Sequence, residues 1–159
     1  MNLKSNNKKT IRTEKKKKRM SEKIWIGGIY LKVEGYEIIL KSLKHYKKRL
    51  QTIHASPELK EAAAMFAPVL QSQAKKRIPM IEETEIQIKE FLLGSISSNR
   101  IEENLEILEK ALECRKSDID KAVNTSNEYF IKLLVNVQES KKDTEQINNA
   151  LVKIKEYLE

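Results

Sequence analysis

The stretch GYEIILKSLKHYKKRLQTIH, residues 35–54, decides the fold class. Tyr36, Ile39, Leu40, Leu43, Tyr46, Leu50 and Ile53 return at intervals of three and four, and Lys41, Lys44, Lys47, Lys48 and Arg49 take the opposite face. A helix turning every 3.6 residues gathers the first set into one apolar stripe, whereas a strand would need strict alternation. The stretch is therefore an amphipathic helix that must lay its stripe on something else.

Toward the N-terminus, residues 24–33 admit two readings. As a β-hairpin turning at Gly27-Gly28, Ile24, Ile26, Ile29, Leu31 and Val33 share a face. As a helix, Ile26, Ile29, Tyr30, Val33, Tyr36 and Leu40 form one stripe that runs into the next segment. A lone hairpin is marginal, and the rest of the chain offers it no strand to join, so the helical reading is preferred. It starts the helix near Gly28 and runs it to His54. The short hairpin at 24–33 stays open as the alternative.

Toward the C-terminus, Ser56-Pro57-Glu58 restarts the chain with a capping hydroxyl, a proline suited to the first helical turn and an acid at the positive end of the dipole. So short a joint sends the next arm back along the first. Its stripe is Leu59, Ala62, Ala63, Phe66, Val69 and Leu70, with kinks expected at Pro68 and Pro79 or a split at Pro79. Ile81, Ile88, Phe91 and Leu92 continue the arm until Gly94, a natural residue just past a helix end.

Ser95–Asn99 forms the next turn, and a long helical region starts near Arg100 with Ile101, Leu105, Leu108, Leu112, Ile119 and Val123 as its stripe. Asn124–Asn127 are poor helix formers, and Thr125 and Glu128 have the spacing of a capping box, so the pattern admits a break or a kink there, with 100–158 either one helix or two. Tyr129–Val137 is apolar almost all round and is expected to be the most buried turn. Asp143 is placed to cap a last helix carrying Ile147, Leu151, Ile154 and Leu158. The expectation is an all-α fold: an antiparallel bundle of three to four long, partly kinked helices, a single domain over 23–159.

The formal net charge of +8 belongs to the N-terminal end. Residues 1–23 hold ten Lys/Arg and two acids, which leaves the body neutral, with a basic half at 24–80 and an acidic half at 81–159. Residues 1–22 combine like charges with almost no apolar content, so they are expected to be a disordered basic tail. Met20 could itself begin a polypeptide. Ile24–Leu31 is too short to span a bilayer, and no small-residue cleavage site follows it. With one cysteine, Cys114, and no such signal, the expected location is the cytoplasm.

No catalytic constellation stands out. His45 and His54 are the two histidines, and neither has the helical partner spacing of a zinc or di-iron site. His45 sits among lysines, which suits a solvated position. Glu82, Glu83, Glu85, Glu102, Glu103, Glu106, Glu109 and Glu113 lie off the apolar stripes and read as solvated surface. Cys114 falls on a weaker apolar line with Ile107 and Ala111, which reads as a packed cysteine without a nearby base. The expectation is a non-enzymatic interaction protein without metal, cofactor or small-molecule substrate, which self-associates like a coiled coil or docks on a helical partner. The alternative is a nucleic-acid-associated protein using the tail run Lys15, Lys16, Lys17, Lys18, Arg19 and the helix face Lys44, Lys47, Lys48, Arg49.

Overall fold

A computed structural model describes residues 22–25, 29–61, 65–94 and 104–158. The expected basic tail with Lys15–Arg19, the expected turns at Gly27-Gly28 and Ser95–Asn99 and the expected helix start near Arg100 lie outside the described residues. What is described is overwhelmingly helical. Strands β1 (Glu22–Trp25) and β2 (Ile29–Lys32) pair antiparallel, with Trp25 opposite Ile29 and Glu22 opposite Lys32. Seven helices follow: α1 (Val33–Gln51), α2 (Pro57–Glu61), α3 (Ala67–Leu92), α4 (Leu105–Thr125), α5 (Glu128–Leu134), α6 (Val137–Lys142) and α7 (Thr144–Leu158). A single 3-10 turn at Ile53–Ala55 joins α1 to α2.

The helix expected from Gly28 to His54 thus begins at Val33 and ends at Gln51, with Ile29–Lys32 paired as a strand. Ser56 does start the next helix: its Oγ accepts from the Leu59 N–H at 3.3 Å. Pro79 neither splits nor ends α3, which runs on to Leu92. Pro68 sits in the first turn of α3, where its missing N–H would have no intrahelical partner anyway, so the chain breaks ahead of it. Gly94 closes this arm at φ 79°, the left-handed conformation that glycine adopts without steric cost.

The long C-terminal region is cut more often than its periodicity suggested. α4 stops at Ser126, which is left-handed at φ 52°. Asn127, not Thr125, caps α5, its Oδ1 accepting from the Tyr129 N–H at 2.9 Å. Asn136 caps α6 in the same way through Glu139 N–H. Asp143 immediately precedes α7 as expected, its carbonyl accepting from the Ile147 N–H at 2.9 Å while its carboxylate meets Arg115 and Lys41. The stretch 129–137 is not the most buried turn: Phe130 and Leu133 are buried, while Ile131 and Val135 are exposed.

Two adjacent faces of α1 are buried, and this makes it the centre of the fold. One carries Tyr36, Ile39, Leu43, Tyr46 and Leu50, the expected stripe. The other carries Ile38, Ser42, His45 and Arg49, each one residue ahead of a stripe position and so about 100° round the helix. Helix α1 packs against α3, α4 and α7. Tyr36 stacks tilted on Phe91 at 5.7 Å, and Arg77 donates to the Tyr46 hydroxyl at 3.0 Å. Leu105, Leu108, Leu112 and Ile119 of α4, with Ile147, Leu151 and Ile154 of α7, complete the core. Val123 and Leu158, expected in the stripes, remain exposed, as do Phe66 and Val69.

Candidate functional site

The polar residues buried on α1 converge on one carboxylate. Asp118 of α4, 2% exposed, accepts a hydrogen bond from His45 Nε2 at 2.7 Å, and Arg49 Nε lies 3.3 Å from the same oxygen. The Cys114 thiol, one turn before Asp118, donates to that oxygen at 3.6 Å. A buried carboxylate survives only with such partners, because removal from water penalises the charge heavily.

Arg49 extends the cluster outward. Its Nη2 lies 2.7 Å from Glu58 of α2, and Lys121 of α4 reaches the other Glu58 oxygen at 2.7 Å. Its Nη1 donates to the Tyr129 hydroxyl at 3.2 Å, and its guanidinium lies over the rings of Tyr129 and Phe130 at 5.2 and 5.5 Å. The Tyr129 hydroxyl also meets Thr52 Oγ1 at 2.9 Å. One arginine therefore joins α1, α2, α4 and α5. Burial works against its charge, but Asp118, Tyr129 and Glu58 outweigh that and hold its pKa above the usual value. Burial likewise disfavours the Glu58 carboxylate, yet the Lys121 hydrogen bond and the Arg49 and Lys121 charges bring its pKa below the usual range.

His45, Cys114 and Asp118 offer one ligand atom each within 4.8 Å of one another. The set suits a metal ion poorly. His45 and Arg49 already occupy the Asp118 oxygen, and an incoming cation would have to displace a guanidinium. The thiol is a poor ligand as well: burial first, and then the charge of Asp118, push its pKa far up and keep it protonated. Nor is the trio arranged for nucleophilic catalysis, since the thiol faces Asp118 and the same forces that keep it protonated deny it a thiolate.

Comparison with known proteins supplies no further lead: no protein family, no curated protein and no solved structure matches the chain.

Of the residues singled out in the sequence for phosphate contact, Lys15–Arg19 lie outside the described residues. Lys44 and Lys48 are exposed on α1, Lys47 is half-buried beside Glu82 at 3.2 Å, and Arg49 is buried in the network. His45 is buried rather than solvated, its Nε2 held by Asp118 at 2.7 Å. His54 is exposed in the 3-10 turn. The line Ile38, Ser42, His45, Arg49, spaced four, three and four, was the available signal for a second buried face. Nothing in the sequence marked Asp118 or Glu58 as its partners.

Two concave features flank the network. A groove of about 440 Å³ runs between α4 and α7, lined by residues of both signs, among them Glu113, Lys116, Asp120 and Lys155. A smaller cleft of about 250 Å³ opens between α1, α4 and the α5–α6 region, lined by Lys41, Lys44, His45, Lys48, Arg115 and Ser140, with Leu133 and Leu134. No helix among the described residues is long and apolar enough to cross a membrane.

Proposed function

We propose that the chain is a non-enzymatic, antiparallel helical-bundle protein that self-associates through the start of α3. The order of contacts favours antiparallel packing: Tyr36 meets Phe91 while Tyr46, ten residues on, meets Arg77, so α1 and α3 run oppositely.

The observation that carries self-association is the exposure of Met65, Phe66 and Val69, at 74, 55 and 52%. Single exposed apolar residues are ordinary, but a methionine, a phenylalanine and a valine within one turn are not. The surrounding sequence, residues 62–74, carries no charge at all, although a third of the whole chain is charged. Interface centres are depleted in charge and enriched in Phe and Met. The buried network supports the non-enzymatic half of the reading, since its groups are committed to one another.

Sedimentation velocity across a concentration series is the test. The expected result is a dimer or larger species that Phe66→Glu or Val69→Glu dissociates without loss of helical circular dichroism. A monomer at every concentration, or an oligomer indifferent to both substitutions, overturns the reading.

A further inference from the structure

We infer that the cleft between α1, α4 and the α5–α6 region is a binding site for the dianionic phosphate of a small phosphomonoester. The residues around it are one-sided in charge. Lys41, Lys44 and Lys48 come from successive turns of α1, and Arg115 comes from α4. Among the described residues the carboxylate partnered with them is Asp143, which accepts from Arg115 Nη2 at 2.9 Å and lies 3.7 Å from Lys41. Lys48 Nζ also donates to the Leu133 carbonyl at 3.3 Å. The remaining ionisable lining group, His45, has its Nε2 committed to Asp118. Four cations against one carboxylate leave the cleft with an excess positive charge that a dianion offsets in large part.

A second observation is that one of these cations is fixed in the wall. Arg115 is itself buried, its side chain 8% exposed, and its Nη1 is shielded from solvent with no hydrogen-bond partner. Buried guanidinium donors are nearly always satisfied, because an unmet charged donor forfeits both water and protein partners. With Nη2 on Asp143 and Nη1 enclosed, Arg115 acts on a phosphate in the cleft as a fixed positive charge in its wall. A volume of about 250 Å³ accepts a phosphate with a short organic stem, not a duplex. The buried Ser140 in the lining sets a polar wall, and Leu133 and Leu134 an apolar one for the stem. The site is distinct from the apolar start of α3 and stands or falls separately from self-association.

The test is calorimetric titration with inorganic phosphate, phenyl phosphate and dimethyl phosphate, at ionic strength held constant with sodium chloride. Saturable binding of the first two is expected, and roughly tenfold weaker binding of the monoanionic diester. Arg115→Gln should weaken phosphate binding roughly tenfold or more. Lys44→Gln, at an exposed position, should weaken it about threefold by removing one charge, so the result does not hang on how Arg115→Gln folds. No saturable phosphate binding tighter than about 10 mM overturns the inference. Affinities unchanged in both variants overturn it too, as does oligothymidylate binding without any phosphate binding, which would make this a polyanion surface instead.

Discussion

His45 and Asp118 stand 73 residues apart in sequence and share a 2.7 Å hydrogen bond from which solvent is almost excluded. With Arg49 on the same oxygen, this contact locks the second buried face of α1 to α4. Hydrophobic burial alone would let two helices slide or rotate with little change in area, but a carboxylate that needs two particular donors defines one register. The cluster thus links the local pattern on α1 to the tertiary arrangement.

Replacing Asp118 by Asn removes the charge while keeping the shape. His45 and Arg49 then face a neutral amide in a site shielded from bulk solvent, and breaking a buried pair from one side costs roughly 3 kcal/mol. Urea unfolding followed by helical circular dichroism should show the midpoint falling accordingly. A loss below about 1 kcal/mol, the value of an ordinary surface pair, would mean the network does not hold the helices.

Acid should act through Glu58. Its pKa is lowered in the folded protein, so the carboxylate contributes stability above its unfolded value, and that contribution disappears as the pH falls through the folded one. Thermal melts between pH 6 and about pH 3 should therefore decline, and Glu58→Gln should decline less over the same window. Parallel slopes for the two proteins would contradict the assignment.

The Cys114 thiol should resist alkylation. Burial and the neighbouring Asp118 hold it protonated well into alkaline conditions, so iodoacetamide at about pH 8.5, near the ordinary thiol pKa, should label the native protein far more slowly than the unfolded one. Because this pKa is raised, its stabilising effect is complete below the unfolded thiol value and is lost as pH rises above it; Cys114→Ala should flatten that alkaline decline. Rapid labelling under native conditions would show the site to be open.

Val135 offers a gain of stability. It has φ 65° between α5 and α6, is 80% exposed, and carries a β-branched side chain where such residues are rarely found. Val135→Gly relieves that conformation and gives up little burial, so a stabilisation of about 1 kcal/mol is expected from the urea midpoint. Destabilisation of the same size would mean the valine is making contacts that matter more than its backbone.

The helical character of the chain was legible in residues 35–54, because a stripe recurring every three or four positions is a local property. The cap at Ser56 and the stop at Gly94 were legible for the same reason. The start of α1 was not: Ile29–Lys32 fits a helix or a strand equally well, and pairing with Glu22–Trp25 is a contact outside the segment. Phe66 and Val69 matched a helical stripe yet stay exposed, since a stripe shows what could be buried and not whether a neighbour arrives to bury it. His45 and Arg49 match a solvated polar face yet lie buried for the converse reason.

By itself, then, the sequence determined that the body of this protein is helical, where its principal apolar stripes lie, and that its charge is divided between a basic end and a neutral body. Only the tertiary structure decided which polar residues go inside. A helix with neighbours on two sides has two buried faces, and an arginine or histidine can enter the second only if the fold delivers a carboxylate to meet it. Asp118 does so from 73 residues away, and no local pattern carries that information.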